Sequence, residues 1–483
     1  MRGVRRVQHP RGRGRVTSVP ILDELGGPRT AGVRQAVTIE TADARGITAH
    51  RSLRHTSFVV AQGRFAGSDL DDADDDARTV VLVARTPDGE VVGGVRLSPC
   101  HEPDIGWWAG SRLVVARRAP RGTGAALVRA ACARALDEGV LRFDACVQAD
   151  KAAFFTGLGW ERIADVDRFG GPHVTFRFPI DRLARQAAVK APLGDLLGGL
   201  HLGGPGFVGD DGAPVPGTDV VAATDAIVPA MVERDPWWAG WCGVLVNLND
   251  LTAMGARPLG LLDALAAPTA SLARRVLAGV RDAAEAYGVP VLGGHTQLGA
   301  PAALSVTALG RTRAPVRGGG GRVGDEVHLT ADLGGRWRPG YHGSQWDSTT
   351  HRSPAQLRAC LEVVPRTAPG AAKDVSMAGL VGTLGMLAEA SGTGAELDVA
   401  RVPVPDGARL ADWCTSFPGF AVLTTGPRPH LGTAPVTTAR CARLTADPGV
   451  RLRWPDGVTT TALGPSVTAL GPAATTALED ARG

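Results

Sequence analysis

The chain has 483 residues, more than one compact core accommodates, and its 44% apolar and 21% charged content is that of a folded, water-facing protein. Its net charge of +4 is diffuse apart from the N-terminal run MRGVRRVQHPRGRGR, so no basic face for nucleic acid is expected. Seven cysteines without a C-x-x-C pair exclude a disulfide framework and a zinc site, and no apolar run reaches the roughly 18 residues of a membrane span; a cytoplasmic protein is expected.

Residues 1–30 read as a disordered basic arm, and residues 31–180 as short strands alternating with helices. TVVLVA (79–84) and VVGGVRL (91–97) flank a turn carrying Asp88-Gly89 and predict a hairpin. SRLVVAR (111–117) predicts a strand, GAALVRAACARAL (124–136) a helix, and LRFDACVQ (141–148) a strand. AAFFTGLGW predicts a short helix and HVTFRF (173–178) a closing strand, giving a largely antiparallel α/β layer. The acidic run from Asp69 to Asp76 reads as a solvated surface, with attraction of a cationic amine as the alternative.

Between the strand ending near Val115 and the helix lies Arg117, Arg118, Arg121, Gly122, Thr123 and Gly124. Glycines there let backbone N–H groups converge, and a helix N-terminus adds partial positive charge, a recipe for binding an anion; taken alone, the loop is equally consistent with a turn. Together with VQADKAAFFTGLGWERI and RHTSFVVAQGRFAGSDLDDADDDA, this segment resembles the GNAT N-acyltransferases. Gly122 and Gly124 match the two glycines of that family's pyrophosphate loop, while Ala119 stands where the loop usually opens on Arg or Gln. The resemblance implies an acetyl-CoA site formed by Val115, Arg117, Arg118, Arg121, Gly122, Thr123 and Gly124. Tyrosine, the acid in many relatives, occurs only at Tyr287 and Tyr341, outside this region. Water or Cys146 is the candidate replacement for that acid, and Glu102 and Asp104 are the candidate bases.

Residues 181–198 read as a linker carrying a short helix, DRLARQAAV. Beyond it the chain is α/β again, divided by the glycine-rich PVRGGGGRVGDE into lobes of 199–314 and 315–470. GDDGAPVPGTDVVAATDA (209–226), VNLNDLTAMGARPLG (246–260), VLGGHT (291–296) and KDVSMAGLVGTLGMLAEASG (373–392) are each consistent with turns and caps. In this order they resemble the AIR synthase superfamily, which includes selenophosphate synthetases, hydrogenase-maturation proteins and thiamine monophosphate kinases. That resemblance implies ATP, with Mg²⁺ held by Asp210, Asp211, Asp225, Asp250 and Asp374. It places Asn249, Gly293, Gly294, His295 and Thr296 against the nucleotide and implies a homodimer formed through the first lobe.

The expected architecture is therefore α/β and α+β, a GNAT fold followed by a two-lobed AIR synthase-like domain. The expected function is a bifunctional enzyme acting on a small amine- or amide-containing metabolite, associated with nitrogen metabolism. The alternative, favoured by Met377-Ala378 in the last motif, is an acetyltransferase whose second domain binds nucleotide without chemistry and regulates or dimerises it.

Overall fold

The computed structural model describes residues 37–471, apart from 199, 201, 203 and 205, so the expected arm at 1–30 lies outside the described residues. Contacts divide the chain into two units, Met1–Ile180 and Asp181–Gly483. No helix among the described residues is long and apolar enough to cross a membrane.

Unit 1 is a seven-stranded sheet of order β1-β2-β3-β4-β5-β7-β6. The strands are β1 (Thr38–Thr41), β2 (Val80–Arg85), β3 (Val91–Pro99), β4 (Trp107–Val115), β5 (Arg142–Gln148), β6 (Glu161–Arg168) and β7 (Gly171–Phe178). Helix α1 (Ala44–Arg54) precedes β2, while α2 (Thr123–Asp137) and α3 (Ala152–Gly157) flank β5. The unbroken apolar run of β2 follows from burial on both faces: Val80, Leu82 and Ala84 join Leu127 and Val128 of α2, whereas Val81 and Val83 meet Ile47 and Leu53 of α1.

All neighbours are antiparallel except β4 and β5, which pair in parallel only from Trp107–Gly110 to Arg142–Ala145. Thus β4 begins four residues before the predicted SRLVVAR, and its second half leaves the β5 ladder. Against β3 the register slips between Gly94–Val114 and Arg96–Ser111, leaving one extra residue on β4. Arg112 sits in that bulge at φ 54°, a conformation costing a side chain about 1–2 kcal/mol.

Unit 2 opens with α4 (Arg182–Ala187), which falls on the short helix expected at DRLARQAAV, and α5 (Leu193–Leu197). Leu183 and Ala187 are buried, Arg182 donates to Thr415 Oγ1 at 3.2 Å, and Gln186 bonds the Met377 carbonyl. The first sheet has the order β11-β10-β12-β9-β8, built from β8 (Ala213–Pro214), β9 (Val220–Ile227), β10 (Arg257–Ala267), β11 (Val291–Leu298) and β12 (Ala303–Arg311). After α6 (Pro229–Arg234), helices α7 (Pro236–Ala253) and α8 (Ala270–Tyr287) cover one face. Trp238, Leu245, Leu248 and Val276 pack there on Val221, Leu261, Leu304 and Val306. This explains why α7 is apolar nearly all round.

The second sheet has seven strands in the order β16-β18-β13-β19-β17-β20-β21. They are β13 (Glu326–Ala331), β16 (Ala372–Asp374), β17 (Gly394–Asp398), β18 (Ala421–Thr425), β19 (Thr437–Thr445), β20 (Gly449–Arg453) and β21 (Thr459–Leu463). A two-stranded ribbon, β14 (Arg336–Trp337) and β15 (Trp346–Asp347), projects between β13 and helices α9 (Pro354–Cys360) and α10 (Val363–Thr367). Helix α11 (Gly379–Ala390) follows β16. The glycine run between the lobes is tightly threaded rather than loose: a Cβ on Gly320 would lie 1.9 Å from the Gly370 carbonyl oxygen, and one on Gly318 would lie 2.4 Å from Asp210 Oδ1.

Candidate functional sites

Three distant segments of unit 2 bring acid to one point. The turn after Gly209 supplies Asp210 and Asp211, the last turn of α7 supplies Asp250, and β16 supplies Asp374. One carboxylate oxygen from each of Asp211, Asp250 and Asp374 lies within 4.8 Å of the others. Lys373 Nζ donates to Asp211 Oδ1 at 2.6 Å and to the Gly209 carbonyl at 3.1 Å, while the Asp374 N–H donates to Asp211 Oδ2 at 3.0 Å. Lys373, Asp374 and Asp250 are all buried.

One hydrogen-bonded ammonium, Lys373, with Lys190 acting from further away, leaves this many carboxylates short of positive charge. Burial, then the charges of Asp374, Asp225 and Asp211, raises the Asp250 carboxyl well above its ordinary range. Burial, then Asp211 and Asp225, does the same to Asp374, with Lys373 and Lys190 acting in the opposite sense. Asp210 is raised to about 6, first by burial and then by Asp211. Burial alone would lower Lys373, but Asp211 and Asp210 hold its ammonium above the usual lysine value. Two buried carboxylate oxygens, Asp210 Oδ2 and Asp374 Oδ2, have no hydrogen-bond partner. Hard oxygen donors, surplus negative charge and unpartnered lone pairs suit a divalent cation with phosphate oxygens in its remaining positions.

The structure thus groups Asp210, Asp211, Asp225, Asp250 and Asp374, with Asp225 on β9 contributing its charge from the exposed side. Asn249 is buried beside them; its Nδ2 donates to the Gly419 carbonyl at 2.7 Å and its Oδ1 is unpartnered. Gly293, Gly294, His295 and Thr296 lie elsewhere. They form part of β11, an exposed edge strand paired with β10, and no hydrogen bond among the described residues joins them to the acids.

Sequence reasoning missed Lys190 and Lys373. The chain has only three lysines, Lys151, Lys190 and Lys373, and that rarity was the available signal. Two of them act on the acid cluster, and Lys151 lines the principal cavity of unit 1.

That cavity, of 610 Å³, occupies the place where β4 and β5 cease to pair. Its lining includes Ser111 to Val115, Cys146 to Gln148, Gly124 of α2 and the aromatic residues Phe58, Phe65, Phe143, Phe154 and Phe169. Val115, Gly124 and Cys146, all singled out from the sequence, therefore meet here. Gly122 at φ 89° starts α2, and Thr123 Oγ1 closes the turn onto the Pro120 carbonyl at 2.7 Å. Arg117, Arg118 and Arg121 are exposed on the same loop, Arg118 paired with Glu90.

The two expected bases are elsewhere. Glu102 is exposed and paired with Arg78, and neither it nor Asp104 lines the cavity. Asp104 accepts the Trp108 indole N–H at 3.0 Å and the Gly106 N–H at 2.8 Å, so its carboxylate ties down the start of β4. Cys146, the expected acid, does line the cavity, and burial pushes its thiol up, so it keeps its proton and is no base.

The acidic run is only partly a solvated face: Asp72 and Asp75 are exposed, but Asp69, Asp71 and Asp74 are bound by arginines. Arg54, fully buried, bonds Asp69 Oδ2 at 2.7 Å and Asp74 Oδ1 at 2.6 Å. Arg96 bonds Asp71 and Asp74, and Arg112 bonds Asp71 at 2.8 Å. These pairs leave the run little charge with which to attract a cationic amine.

Two family models match, both within unit 2. Residues 209–312 match the AIR synthase related protein, N-terminal domain, and residues 322–427 match the AIR synthase related protein, C-terminal domain. An uncharacterized protein of Synechocystis sp. is 36% identical over 223 residues, 45% of this chain and 69% of that protein. A thiamine-monophosphate kinase of Methanospirillum hungatei is 30% identical over 173 residues, 35% of this chain and 59% of that enzyme. Among solved structures, thiamine monophosphate kinase from Aquifex aeolicus aligns with a TM-score of 0.40 at 23% identity, covering 52% of this chain and 93% of that one.

Proposed function

From the premise that the chain belongs to the AIR synthase-related family through residues 209–427, we propose that unit 2 catalyses ATP-dependent phosphoryl transfer to a small amide- or amine-containing metabolite. The observation that carries this reading is the set of three carboxylates within 4.8 Å around a buried lysine. Asp211, Asp250 and Asp374 would hold Mg²⁺, with Asp210 and Asp225 beside them. When bound, the ion neutralises phosphate oxygens and the charge that develops as the phosphoryl group moves. Lys373 fixes Asp211, the Asp374 N–H fixes its second oxygen, and Asn249 Oδ1 offers one more acceptor.

The test is calorimetric titration of ATP into the intact protein with Mg²⁺ or with EDTA, together with a screen of amide and amine acceptors for ADP release. Binding that requires Mg²⁺ is expected, and equal binding in EDTA would overturn the metal assignment. Met377, exposed at the start of the last motif, favours a second reading in which unit 2 binds nucleotide and regulates. Magnesium-dependent binding with no ADP release under any acceptor would select it.

For unit 1 the proposal is acetyl-CoA-dependent N-acylation. Its support is the glycine-rich turn that starts α2 and the cavity at the β4–β5 separation, a polar loop at one end of an apolar slot. Acetyl-CoA binding to the intact chain, read by calorimetry, tests it directly.

The partner we propose for unit 2 is a second copy of the chain. Strand β11 is exposed along its whole length, and Val291, Leu292 and Leu298 stand with Leu259 and Leu262 of β10 as uncovered apolar residues. Leu292→Asp is expected to convert a dimer to a monomer in analytical ultracentrifugation.

A further inference from the structure

The expected base of unit 1 is missing from the cavity, and a different residue has the geometry for the task. We propose that His173 is the general base of acyl transfer, an assignment that rests on the acyl-transfer reading of this unit. His173 lies on β7, buried, and lines the cavity opposite Gln148 of β5. Its Nδ1 is 2.9 Å from the Gly171 carbonyl oxygen. A carbonyl can only accept, so Nδ1 carries the proton and the neutral ring presents its lone pair at Nε2. Among the described residues Nε2 has no partner, and it is not sealed from solvent. The ring is held edge-on against Phe169, with centroids 5.6 Å apart.

The alternatives within the cavity are committed. Asp71 is its one carboxylate and is bonded by Arg96 at 2.9 Å and Arg112 at 2.8 Å. Cys146 holds its proton. The other buried histidine of the unit, His50, spends Nε2 on the Arg112 carbonyl at 3.0 Å, and its Nδ1 is sealed without a partner. A tautomer fixed from behind and an open nitrogen on a cavity-lining ring are the features a base needs.

The reaction balances on this one group. A neutral primary amine attacks the thioester carbonyl carbon, forming the C–N bond, and the C–S bond breaks as the adduct collapses. Nε2 takes the proton released by nitrogen and returns it to the departing thiolate, leaving an amide, a free thiol and neutral His173. The charged and titratable groups sharing the cavity are Arg64 and Asp71 before β2, Arg96, Arg112, Cys146, Lys151 after β5, and Arg168 on β6.

The test compares intact wild-type protein with His173→Asn, which preserves a donor to Gly171 but has nothing at the Nε2 position. Acetyl-CoA binding is read by calorimetry, and thiol release is read with n-butylamine or water as acceptor. Binding within about twofold of wild type and an approximately 10²-fold loss of thiol release are expected. Release within about threefold of wild type overturns the base assignment alone. Loss of acetyl-CoA binding in both His173→Asn and His173→Gln overturns it in favour of a wall residue. Wild-type protein that binds no acetyl-CoA and releases no thiol overturns the acyl-transfer reading and the assignment with it.

Discussion

Both units concentrate aspartates, and they treat them oppositely. In unit 1, Asp69, Asp71 and Asp74 meet three arginines, Arg54, Arg96 and Arg112, whose forked guanidiniums take up most of their oxygens. Arginine holds Asp74 at about 2, although burial alone would raise it. In unit 2, among the described residues, Lys373 is the one cation hydrogen-bonded to the acids, at Asp211, and two buried oxygens, Asp210 Oδ2 and Asp374 Oδ2, remain unpartnered. A fully paired network has no room for a ligand and serves to hold loops on a sheet; an underpaired one is stable only as a receptor for positive charge.

The sharpest way to break this contrast is to remove one arginine. Arg54→Ala leaves Asp69 and Asp74 charged and buried, and a loss of about 3–5 kcal/mol from unit 1 is expected by denaturant unfolding. The reverse holds in unit 2. Asp250→Asn removes a charge that its surroundings already disfavour, so stability without ligand is expected to hold or rise. What disappears is stabilisation by Mg²⁺ and ATP, about 2.7 kcal/mol for wild type at a hundredfold excess over Kd, read as a thermal shift. An Asp250→Asn protein still stabilised by Mg²⁺ and ATP to the wild-type extent would remove Asp250 from the metal site.

Little of this difference was legible in the sequence. The order of acids and glycines along unit 2 named Asp210, Asp211, Asp225, Asp250 and Asp374 because chemistry of that kind is written in local motifs. The neutralisation of Asp69 to Asp74 was not, because Arg54, Arg96 and Arg112 reach it from α1, β3 and β4, and only the sheet topology brings them there. Most strands of unit 1 were readable from β-branched runs, but the short β1, and β6 with its exposed, charged ERIADVDR, were not. Gly293 to Thr296 looked like a phosphate turn, yet they pair with Leu262 to Leu265 as an edge strand, a long-range fact. The connector at 181–198 read as a linker with one short helix, and nothing local showed that Leu183 and Ala187 dock that helix. His173 lay within a predicted strand, and nothing local marked its Nε2 as open.

The smallest expected effect is a difference in sign with pH. Asp210 in unit 2 is raised from 3.8 to about 6, so between those values the folded unit keeps a proton that the unfolded chain releases. Stability of ligand-free unit 2 should therefore fall as pH rises from about 4 to 6, by roughly 1–3 kcal/mol after allowance for screening. In unit 1, burial lowers His50 from 6.5 to about 4, so over that window the unfolded chain binds the extra proton. Asp74, lowered to about 2, acts in the same direction at still lower pH. Unit 1 should thus gain stability as pH rises toward 6.5, while unit 2 loses it. Calorimetric scans of the ligand-free chain at pH 4.5 to 6.5 are expected to show two transitions moving in opposite directions, and saturating Mg²⁺ should flatten or reverse the slope of the second, because cation binding displaces the retained protons. Two transitions that move together, or a second one whose slope ignores Mg²⁺, would mean that the acids of unit 2 are as fully compensated as those of unit 1.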